Sequence, residues 1–472
     1  MHTPFFPALR PRLAALGRRV QHLRQQSLGH LELLFQPFLP PGLLSQADEG
    51  RNSRERVYSV RRTFFGFLSQ GLKPDTSCRE IVRQIQALFA LQDQGPVDEN
   101  TRAYCQGRKR LPLDRLGRVR VGVAAAGETM APRWHGLRPK VIDATSVSLP
   151  DTKKNQRAYP QSGRQQPGCG FPLLRLLGVF SLSTGLLLDY AKGNKHQSEL
   201  RLLRGLLDGF KPGDLVLADR GFCCYVLLAL LRRRGVWSLF RLHQSRATDW
   251  RKGKRLGKKD RLFTWSPPRL RPPWLPQGLW KTIAAQLTVR VIRFPLHRRG
   301  YRTESVTLVT TLLDPENYPA QDIAQLYIRR WNIELWFRDI KTSLGMEVLR
   351  CQTPQRVHKE LEMFLIAYNF IRCLMVQAGA INHVTLDRLS FKGSVDAVRQ
   401  FSLAIAQARS KNKQNHLIRE LLEVIARDEV PDRPERLEPR ALKRRPKCYQ
   451  LLNRPRHLMR DIAHGKRPSK TS

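Results

Sequence analysis

Strand and helix patterns alternate between residues 137 and 242, and this alternation constrains the fold more than any other feature of the chain. Three apolar segments have the composition of strands, and a Ser183-Thr184-Gly185 turn joins the second to the third. The predicted strands and helices, in order, are strands 140–150, 173–183 and 185–193, helix 196–210, strand 214–219, helix 223–235 and strand 236–242. This order predicts an α/β fold whose sheet has mixed pairing and flanking helices.

Basic, proline-rich and tryptophan-containing sequence follows, between residue 243 and about residue 302. Two segments with strand composition, 282–294 and 304–313, lie around a turn at His297–Gly300. We interpret residues 243–304 as a β-rich insertion that interrupts the α/β core. Its lysine-rich part fits a solvated loop or a surface that faces phosphate.

The charge of the chain restricts the partners that it can bind. Its 472 residues contain 83 Lys and Arg against 39 Asp and Glu, which gives a net charge of +44 and a pI near 11.0. Such a chain repels itself unless it meets a polyanion, so nucleic acid is the expected partner. Because the basic residues are spread along the whole chain, a membrane surface is disfavoured.

No segment predicts secretion or membrane insertion. The longest apolar stretch, residues 171–190, is interrupted by Arg175 and by a Ser-Thr-Gly cluster, so we expect two strands there and no transmembrane span. Arginines within the apolar N-terminus do not fit a secretory signal. The eight cysteines include no Cys-x2-Cys pair and are expected to be reduced thiols. We therefore predict a cytoplasmic, nucleoid-associated protein.

The segment from Thr76 predicts a helix, a turn and a basic helix. Ser77 and Glu80 have the spacing of a capping box, and apolar residues at helical spacing follow them. A Gly-Pro turn at residues 95–96 precedes the second helix. That helix carries four basic residues, Arg102, Arg108, Lys109 and Arg110. The order fits a helix-turn-helix that binds the major groove of DNA, and it fits an ordinary helical hairpin equally well.

Residues 327–341, YIRRWNIELWFRDIK, place four unlike polar side chains in a run rich in tryptophan and isoleucine. On a helical wheel of about 100° per residue these side chains share one stripe. They are Tyr327, Arg330, Glu334 and Lys341. An apolar face lies beside the stripe, so the helix is expected to pack against a core with the polar side chains along its rim. A solvated flank with ordinary charge pairs is the alternative.

Three carboxylates are candidates for metal chemistry. Asp143 falls within a predicted strand, Asp219 ends another, and Glu334 lies on the helix flank. A carboxylate in an apolar strand is costly to desolvate unless a cation meets it, and Mg²⁺ prefers oxygen ligands. Taken singly, Asp143 fits an ion pair with Lys140 or Arg138, and Asp219 fits a turn. Together, the three match the layout of a ribonuclease-H-like nuclease site, where two ions about 4 Å apart act on phosphorus.

The four polar residues of 327–341, separated by two, three and six positions, resemble the Y-R-E-K signature of DDE transposases of the bacterial IS-four insertion-sequence family. Residues 143–145 are similar to the first-Asp motif of that family, with Ala144 where glycine is frequent. Residues 219–222 are similar to its second-Asp motif, and SCREIVR and NTRAYCQGRKRLP to its N-terminal region. The resemblance covers roughly residues 70–375.

The resemblance implies a DNA transposase with a ribonuclease-H-like catalytic core and helical N- and C-terminal regions. Its implied partners are double-stranded DNA, at terminal inverted repeats and at the target, and a second copy of the chain in a synaptic homodimer, with no membrane. The implied reaction is Mg²⁺-dependent strand cleavage and strand transfer by two-metal chemistry, with Mn²⁺ as a substitute. The long separation of Asp219 and Glu334 leaves room for the insertion found in members that excise through a DNA hairpin, with a base flipped onto tryptophan.

The resemblance also implies roles for individual residues. Asp143, Asp219 and Glu334 would be catalytic and would hold two metal ions. The implied DNA contacts are Tyr327, Arg330, Trp331 and Lys341 at the cleaved end and Arg102, Arg108, Lys109 and Arg110 in the N-terminal region. Trp331 is the preferred residue for stacking on the flipped base, and the alternatives are Trp237, Trp250 and Trp265.

On this basis the chain divides into six segments. They are a helical basic arm (1–60), a helical DNA-binding region (61–136), the first part of the core (137–242), the insertion (243–304), the second part of the core (305–378) and a basic C-terminal region (379–472). Two other functions fit the same charge, a non-catalytic DNA-binding protein derived from such an enzyme and a structure-selective ribonuclease-H-like nuclease. The three carboxylates disfavour the first, and the Y-R-E-K stripe disfavours the second.

Overall fold

The computed structural model describes residues 29–44, 57–91, 93–243, 245–246, 248–295, 305–431, 454–455 and 458–459. Most of the predicted N-terminal arm, the predicted His297–Gly300 turn and most of the predicted C-terminal tail lie outside these residues. The described residues form two compact units. The helical unit falls within residues 1–127, 342–346 and 358–430, and the sheet unit falls within 128–341, 347–357 and the residues after 430.

Nine strands are present in the described residues. They are β1 (Arg138–Ser148), β2 (Leu173–Ser181), β3 (Leu187–Gly193), β4 (Asp214–Ala218), β5 (Trp237–Arg241), β6 (Lys254–Gly257), β7 (Asp260–Trp265), β8 (Leu287–Pro295) and β9 (Ser305–Thr310). All nine form one sheet in the order β3-β2-β1-β4-β5-β9-β8-β7-β6. The β1–β2 and β2–β3 pairs are antiparallel, whereas β1–β4 and β4–β5 are parallel. The predicted α/β fold with mixed pairing is therefore confirmed.

The α-helices of the described residues are named in chain order. They are α1 (Gly29–Phe35), α2 (Val60–Leu72), α3 (Cys78–Leu91), α4 (Arg102–Arg110), α5 (Leu113–Glu128), α6 (Lys153–Ala158), α7 (Glu199–Arg204), α8 (Tyr225–Arg233), α9 (Gln277–Trp280), α10 (Ala320–Ile328), α11 (Asn332–Arg338), α12 (Pro354–Asn382), α13 (Phe391–Gln407) and α14 (Lys411–Arg427). The predicted helix 196–210 is shorter than expected, because α7 is followed by a separate 3₁₀ turn at Leu207–Gly209.

Close packing at Gly178 brings α11 onto the first strands of the sheet. Gly178 of β2 pairs with Asp143 of β1. A Cβ atom added at Gly178 would lie only 3.2 Å from the ring of Phe337 on α11. The ring of Phe337 also packs edge-on against Phe180 of β2, with centroids 5.2 Å apart. The missing side chain thus lets the helix that carries Glu334 approach the strand pair that carries Asp143.

The β-rich segments after residue 243 continue the sheet of the α/β core. The predicted strand pair around residues 282–313 is present as β8 and β9, and β9 pairs with β5 of the core. A buried ion pair fixes β7 against β8, since Nε of Arg290 donates to both carboxylate oxygens of Asp260 at 2.9 and 3.1 Å. Breaking such a buried pair costs about 3–5 kcal/mol, because one charge is left unpaired.

The helix predicted for residues 327–341 is not a uniform α-helix. A 3₁₀ turn, Arg329–Trp331, joins α10 to α11, and a π-helical turn, Asp339–Ser343, follows α11. These turns change the angular spacing of the polar stripe, so the prediction of one regular rim was wrong. Tyr327 and Arg330 are buried, whereas Glu334 is exposed. The solvated-flank alternative therefore fails for the two buried residues.

The helical unit is built around the long apolar helix α12. By length and composition α12 could cross a membrane, since its most apolar window has a mean hydropathy of 1.5, but 78% of that window is buried inside the protein. Within the helical unit the ring of Phe370 stacks on Phe35 at 4.3 Å, and Glu362 pairs with Nε of Arg120 at 3.2 Å. Such burial is typical of a core helix whose apolar positions run almost all round.

The N-terminal helices α3 and α4 lie where the sequence predicted a helix, a turn and a basic helix. Half of the predicted capping box is present, because Oγ of Ser77 accepts a hydrogen bond from the backbone N–H of Glu80 at 3.1 Å. The carboxylate of Glu80 instead contacts Nζ of Lys73. A polar depression of about 510 Å³ lies between the start of α3 and the loop before α4, lined by Arg79, Arg83 and residues 98–101 among others.

Candidate active site

Asp143 and Asp219 are brought together by two neighbouring parallel strands. The register of β1 and β4 places Val141 opposite Leu217. Each aspartate lies two residues beyond this pair, Asp143 within β1 and Asp219 directly after β4. Residues two apart on a strand share a face, so the two carboxylates lie side by side at the same edge of the sheet. The sequence could not predict this register.

Burial raises the pKa of Asp143 to about 6. The charges of Asp219 and Glu199 raise this pKa further, whereas the N–H of Ala144 and the guanidinium of Arg330 lower it. The Ala144 N–H donates to Oδ1 of Asp143 at 2.8 Å. The ionised form of Asp143 is thus costly in the protein alone, and a bound divalent cation would offset that cost.

Asp219 is fixed in orientation by its own turn. Its Oδ1 accepts a hydrogen bond from the N–H of Gly221 at 2.9 Å and caps the 3₁₀ turn Arg220–Phe222. Asp at the end of a strand commonly forms such a turn. The turn role weighed from the sequence is therefore present. It leaves the other carboxylate oxygen, Oδ2, free of that bond and able to face Asp143.

Arg330 lies between the first and the third carboxylates. Its Nη1 is 3.9 Å from Oδ2 of Asp143, and its Nη2 is 3.8 Å from Oε1 of Glu334. The Arg330 side chain is only 7% exposed, while that of Glu334 is 62% exposed. The Nε of Arg330 is buried and has no hydrogen-bond partner among the described residues. Arg330 is therefore a buried cation with unused hydrogen-bonding capacity beside the two carboxylates.

Tyr327 and Lys341 attach the helical segment to the strands that carry the aspartates. The hydroxyl of Tyr327 donates to the carbonyl of Ala218, immediately before Asp219, at 3.2 Å. Burial raises the pKa of Tyr327 to about 12, so this hydroxyl keeps its proton. Nζ of Lys341 lies 3.5 Å from Oγ1 of Thr145, two residues beyond Asp143 on β1. The four Y-R-E-K residues thus contact or flank both aspartate strands, which supports Tyr327 as a positioning residue.

The carboxylates suit a divalent cation but are not assembled into a compact cluster. In the part of the chain that the structure describes, no three His, Cys, Asp or Glu side chains come close enough together to hold a metal ion. Asp143 and Asp219 supply hard oxygen donors from adjacent strands, which is the donor type that Mg²⁺ takes. Glu334 faces Arg330 and is the candidate third ligand from the helix side. The metal roles of the three residues remain a prediction.

Glu199 is a fourth carboxylate at this site that the sequence analysis missed. It is the first residue of α7, and Oγ of Ser198 caps that helix by accepting from the N–H of Arg201. Burial raises the pKa of Glu199, Arg175 lowers it, and Asp219 raises it. An acidic residue after a Ser cap is an ordinary start of a helix, so only the fold shows that Glu199 faces the two aspartates.

An arginine-rich cavity of about 320 Å³ lies directly beyond Asp219 in the sheet unit. Its described lining includes Arg220, Arg241, His243, Arg246, Trp250 and Arg293. The guanidinium of Arg293 lies 5.1 Å from the ring centroid of Trp250. The indole Nε1 of Trp250 is buried and has no partner among the described residues. The cavity thus combines several cations, an aromatic ring and an unused hydrogen-bond donor, which suits a phosphate and a base.

The other tryptophans proposed for stacking are already in contact with protein groups. Trp331 packs edge-on against Tyr327, with centroids 6.1 Å apart, and Arg330 lies 5.2 Å from its ring centroid. Arg232 covers Trp237 at 4.3 Å, and Arg246 covers Trp265 at 4.1 Å. Trp250 has comparable contacts, since Arg293 lies 5.1 Å from its ring centroid and Phe263 packs edge-on at 6.4 Å. It differs from Trp331 in lining the arginine-rich cavity.

The four basic residues of α4 differ in what they can offer to DNA. Arg102, Lys109 and Arg110 are exposed, although Nη2 of Arg110 donates to the carbonyl of Tyr58 at 3.3 Å. Arg108 is directed into the helical unit, with its guanidinium 3.8 Å from the ring centroid of Phe67. Arg108 would have to leave that ring to reach a phosphate. DNA contact by all four remains a prediction.

The family model for the transposase DDE domain matches residues 134–370, half of the chain. A DDE domain of this kind cleaves DNA with a divalent metal ion. Transposase InsG for insertion sequence element IS4 from Escherichia coli (strain K12) is 30% identical over 359 residues, which cover 74% of this chain and 77% of InsG. The chain therefore belongs to the IS4 family of DDE transposases, as the Y-R-E-K resemblance predicted, and it is a DNA-binding, DNA-cleaving enzyme of an insertion sequence.

Two other similarities are weaker. A putative transposase, y4zB, from Sinorhizobium fredii (strain NBRC 101917 / NGR234) is 31% identical over 117 residues, 23% of this chain and 32% of the relative. The structure of a piggyBac transposase synaptic complex with hairpin DNA aligns over 83% of this chain and 84% of its own, with 9% identity and a TM-score of 0.41. At that TM-score the likeness carries no argument about this fold.

Proposed function

We propose that this transposase binds the terminal inverted repeats of its element and catalyses Mg²⁺-dependent strand cleavage and strand transfer at the Asp143–Asp219 edge of the sheet. The observation that carries the proposal is the parallel register of β1 and β4, which sets the two carboxylates side by side. Buried Arg330 beside Asp143 and Glu334 adds a cation at the same place.

The order of the first five strands supports a ribonuclease-H-like core. Three antiparallel strands, β3, β2 and β1, are continued by two parallel strands, β4 and β5. Asp143 lies on β1, and Asp219 directly follows β4, the strand parallel to β1. We also propose that the chain is divided into the six segments defined from its sequence, that it forms a synaptic homodimer, and that it is located in the cytoplasm.

Asp143, Asp219 and Glu334 would hold the metal ions. When bound, two divalent ions activate the attacking oxygen and stabilise the leaving oxygen of a phosphodiester. Arg330 lowers the pKa of Asp143 and so favours the ionised form that a metal requires. The unused Nε–H of Arg330 and the ammonium of Lys341 are suited to hold phosphate oxygens of the DNA end, which orients the scissile bond.

The arginine-rich cavity supports excision through a DNA hairpin. A flipped nucleotide needs an aromatic surface for its base and cations for its phosphate, and the cavity supplies Trp250 together with the four arginines of its lining. Because Arg220 directly follows Asp219, the cavity begins next to the proposed metal site. We propose Trp250 as the stacking residue in place of Trp331.

A cleavage assay tests the proposal. A labelled duplex that carries the terminal repeat is incubated with the full chain and with Mg²⁺ or EDTA, and strand breaks are mapped at the repeat boundary. Glu334→Ala is expected to abolish cleavage and to leave repeat binding nearly unchanged. Glu316→Ala, which removes an exposed carboxylate from a loop of the same unit, is the matched control. Cleavage in EDTA, or retained cleavage by Glu334→Ala, would contradict the metal assignment.

The nature of the break distinguishes the hairpin pathway from simple nicking. Denaturing gels reveal hairpin ends as strands of doubled length. Trp250→Ala is expected to reduce hairpin formation about tenfold while the first nick persists, because base stacking contributes about 1–3 kcal/mol. Trp274→Ala, at a partly buried tryptophan outside the cavity lining, is the control. Equal hairpin yields from the two variants would exclude Trp250 as the stacking residue.

A further inference from the structure

Two cysteines meet in the helical unit, to which none of the residues assigned to DNA cleavage belongs. Cys78 is the first residue of α3, and Cys105 lies within α4. The thiol of Cys105 donates a hydrogen bond to the sulfur of Cys78. Neither cysteine is in a disulfide, and both residues are partly exposed. The pair is therefore already in contact at a partly exposed position.

A fixed guanidinium and an amide complete the surroundings of Cys78. Nη1 of Arg108 lies 3.4 Å from Sγ of Cys78, and Nε2 of Gln70 lies 3.9 Å from it. Arg108 is held in place by the ring of Phe67, 3.8 Å from its guanidinium carbon, and by a 3.3 Å bond to Oε1 of Gln70. Cations and hydrogen-bond donors of this kind stabilise a thiolate.

These contacts change the ionisation of Cys78. The hydrogen bond from Cys105, the charge of Arg108 and the bond from Gln70 lower the pKa of Cys78 to about 5 against the opposing effect of burial. The position at the start of α3 acts in the same direction, because a helix N-terminus favours negative charge. The titratable and charged groups that face Cys78 are Cys105, Arg108 and Tyr104. These contacts favour the thiolate form of Cys78 near neutral pH.

We propose that Cys78 and Cys105 form a redox modification site, at which a peroxide converts the pair into an intramolecular disulfide. The thiolate of Cys78 attacks one peroxide oxygen, the O–O bond breaks, and the products are a sulfenic acid on Cys78 and hydroxide. The thiol of Cys105 then attacks the sulfenic sulfur. An S–S bond forms, the S–O bond breaks, and the oxygen leaves with the thiol proton as water. The peroxide is reduced by two electrons, and the two sulfurs are oxidised.

The geometry favours Cys105 as the resolving thiol. Two sulfurs in hydrogen-bond contact need to approach only to about 2.05 Å to form the bond. A disulfide between these positions would join the start of α3 to the middle of α4 and would remove the anion that faces Arg108. No residue of the sheet unit takes part, so the proposal is independent of the transposase mechanism.

The first test is the pH dependence of alkylation. The full chain is labelled with iodoacetamide at pH 6 to 8, and peptide mass spectrometry gives the rate at each cysteine. The rate at Cys78 is expected to stay flat over this range, whereas the rate at an ordinary thiol rises about tenfold per pH unit. At pH 6 the thiolate fraction of Cys78 is about 1,000-fold larger than that of an ordinary thiol. A thiolate of low pKa is less nucleophilic, which reduces the rate about 100-fold. The alkylation rate at Cys78 is therefore expected to be about tenfold higher than at an ordinary thiol.

Cys169, another partly exposed thiol of the chain, is the internal comparison. Arg108→Gln removes the facing cation and is expected to restore a pH-dependent rate at Cys78. Because this substitution also removes packing on Phe67, circular dichroism must show an intact fold. A Cys78 rate that rises with pH in parallel with Cys169 in the unaltered chain would overturn the proposal.

The second test is the product of peroxide treatment. Stoichiometric hydrogen peroxide is expected to consume two thiols and to give one Cys78–Cys105 cross-linked peptide, reversible by dithiothreitol. In Cys105→Ser, Cys78 is expected to stop at a sulfenic acid, which dimedone traps. In Cys78→Ser, Cys105 is expected to stay reduced under the same conditions. Oxidation of Cys169 at the same rate as Cys78, or a cross-link to any other cysteine, would refute the assignment.

Discussion

The two units each place an arginine beside an acidic group, and the effect on the pKa of that group is opposite. In the sheet unit Arg330 lies 3.9 Å from Asp143, yet the pKa of Asp143 is raised to about 6. In the helical unit Arg108 lies 3.4 Å from Cys78, and the pKa of Cys78 is lowered to about 5. A neighbouring arginine is therefore present both beside a carboxyl group that resists ionisation and beside a thiol that ionises readily.

The difference comes from the other groups around each anion. Burial has the largest effect at Asp143, and two further carboxylates, Asp219 and Glu199, add repulsion. At Cys78 the largest effect is a hydrogen bond from Cys105, and no acidic side chain is among the causes of its shift. A buried carboxylate whose repulsion by neighbouring carboxylates one arginine cannot offset suits an added cation, whereas a stabilised thiolate suits attack on an electrophile.

The largest change is expected from Asp219→Asn. This substitution keeps the shape of the side chain but removes one metal-binding charge and the repulsion on Asp143. Cleavage is expected to fall by about 1,000-fold or more, because the proposed metal ions supply most of the stabilisation of the transition state. Single-turnover cleavage with Mg²⁺ measures the loss, and Asp208→Asn, at an exposed aspartate of the same unit, is the control. Near-normal cleavage would place the reaction elsewhere.

Removing the arginine of the carboxylate site is expected to have the next largest effect. Arg330→Gln leaves Asp143 with only repulsive charged neighbours, so the pKa of Asp143 rises and ionisation requires higher pH. Cleavage is expected to fall about 10- to 100-fold at pH 7 and to recover partly toward pH 9. The rate is measured from pH 6 to 9. Arg338→Gln, on the exposed side of α11, controls for loss of a positive charge, and an unchanged pH profile in Arg330→Gln would separate Arg330 from Asp143.

The stability of the metal-free protein tests the raised pKa of Asp143. The folded chain holds this proton more tightly than the unfolded chain, whose carboxyl has an ordinary pKa near 4. The contribution of Asp143 to stability is therefore full below pH 4 and is lost as the pH rises to about 6. At pH 7.5 in EDTA, Asp143→Asn is expected to be more stable than the unaltered chain by about 1–3 kcal/mol. Thermal unfolding at pH 4 and pH 7.5 measures the difference, and a destabilised variant at pH 7.5 would contradict the argument.

Cys78 is expected to show the opposite dependence of stability on pH. Because the pKa of Cys78 is lowered in the folded chain, its ionisation stabilises the fold fully above the ordinary thiol pKa. This stabilisation is lost as the pH falls toward about 5. The unaltered chain is therefore expected to gain stability over Cys78→Ser between pH 5 and pH 9, with a shift of a few degrees in melting temperature. Cys351→Ser, at another partly exposed thiol, is the comparison. A constant difference across this pH range would mean that Cys78 is not ionised in the folded state.

Local sequence patterns were sufficient for much of the fold. The strands of the core, the strand pair β8–β9 and the helices α3 and α4 follow from apolar periodicity and turn residues. The same patterns could not give the 3₁₀ and π turns that flank α11, because these depend on how Arg330 and its neighbours are buried. Nor could they show that β6 to β9 continue the sheet of the core, since strand pairing is a contact between distant segments.

By itself, the sequence determined the family, through the spacing of Tyr327, Arg330, Glu334 and Lys341, and it nominated Asp143 and Asp219 as strand carboxylates. Only the tertiary structure decided that these aspartates lie side by side, that Glu199 and Arg330 join them, and that Trp250 lines an arginine-rich cavity. The tertiary structure alone showed that the thiol of Cys105 contacts the sulfur of Cys78. The physical reason is that spacing along a chain records local geometry, whereas charge interactions and burial depend on distances between segments far apart in sequence.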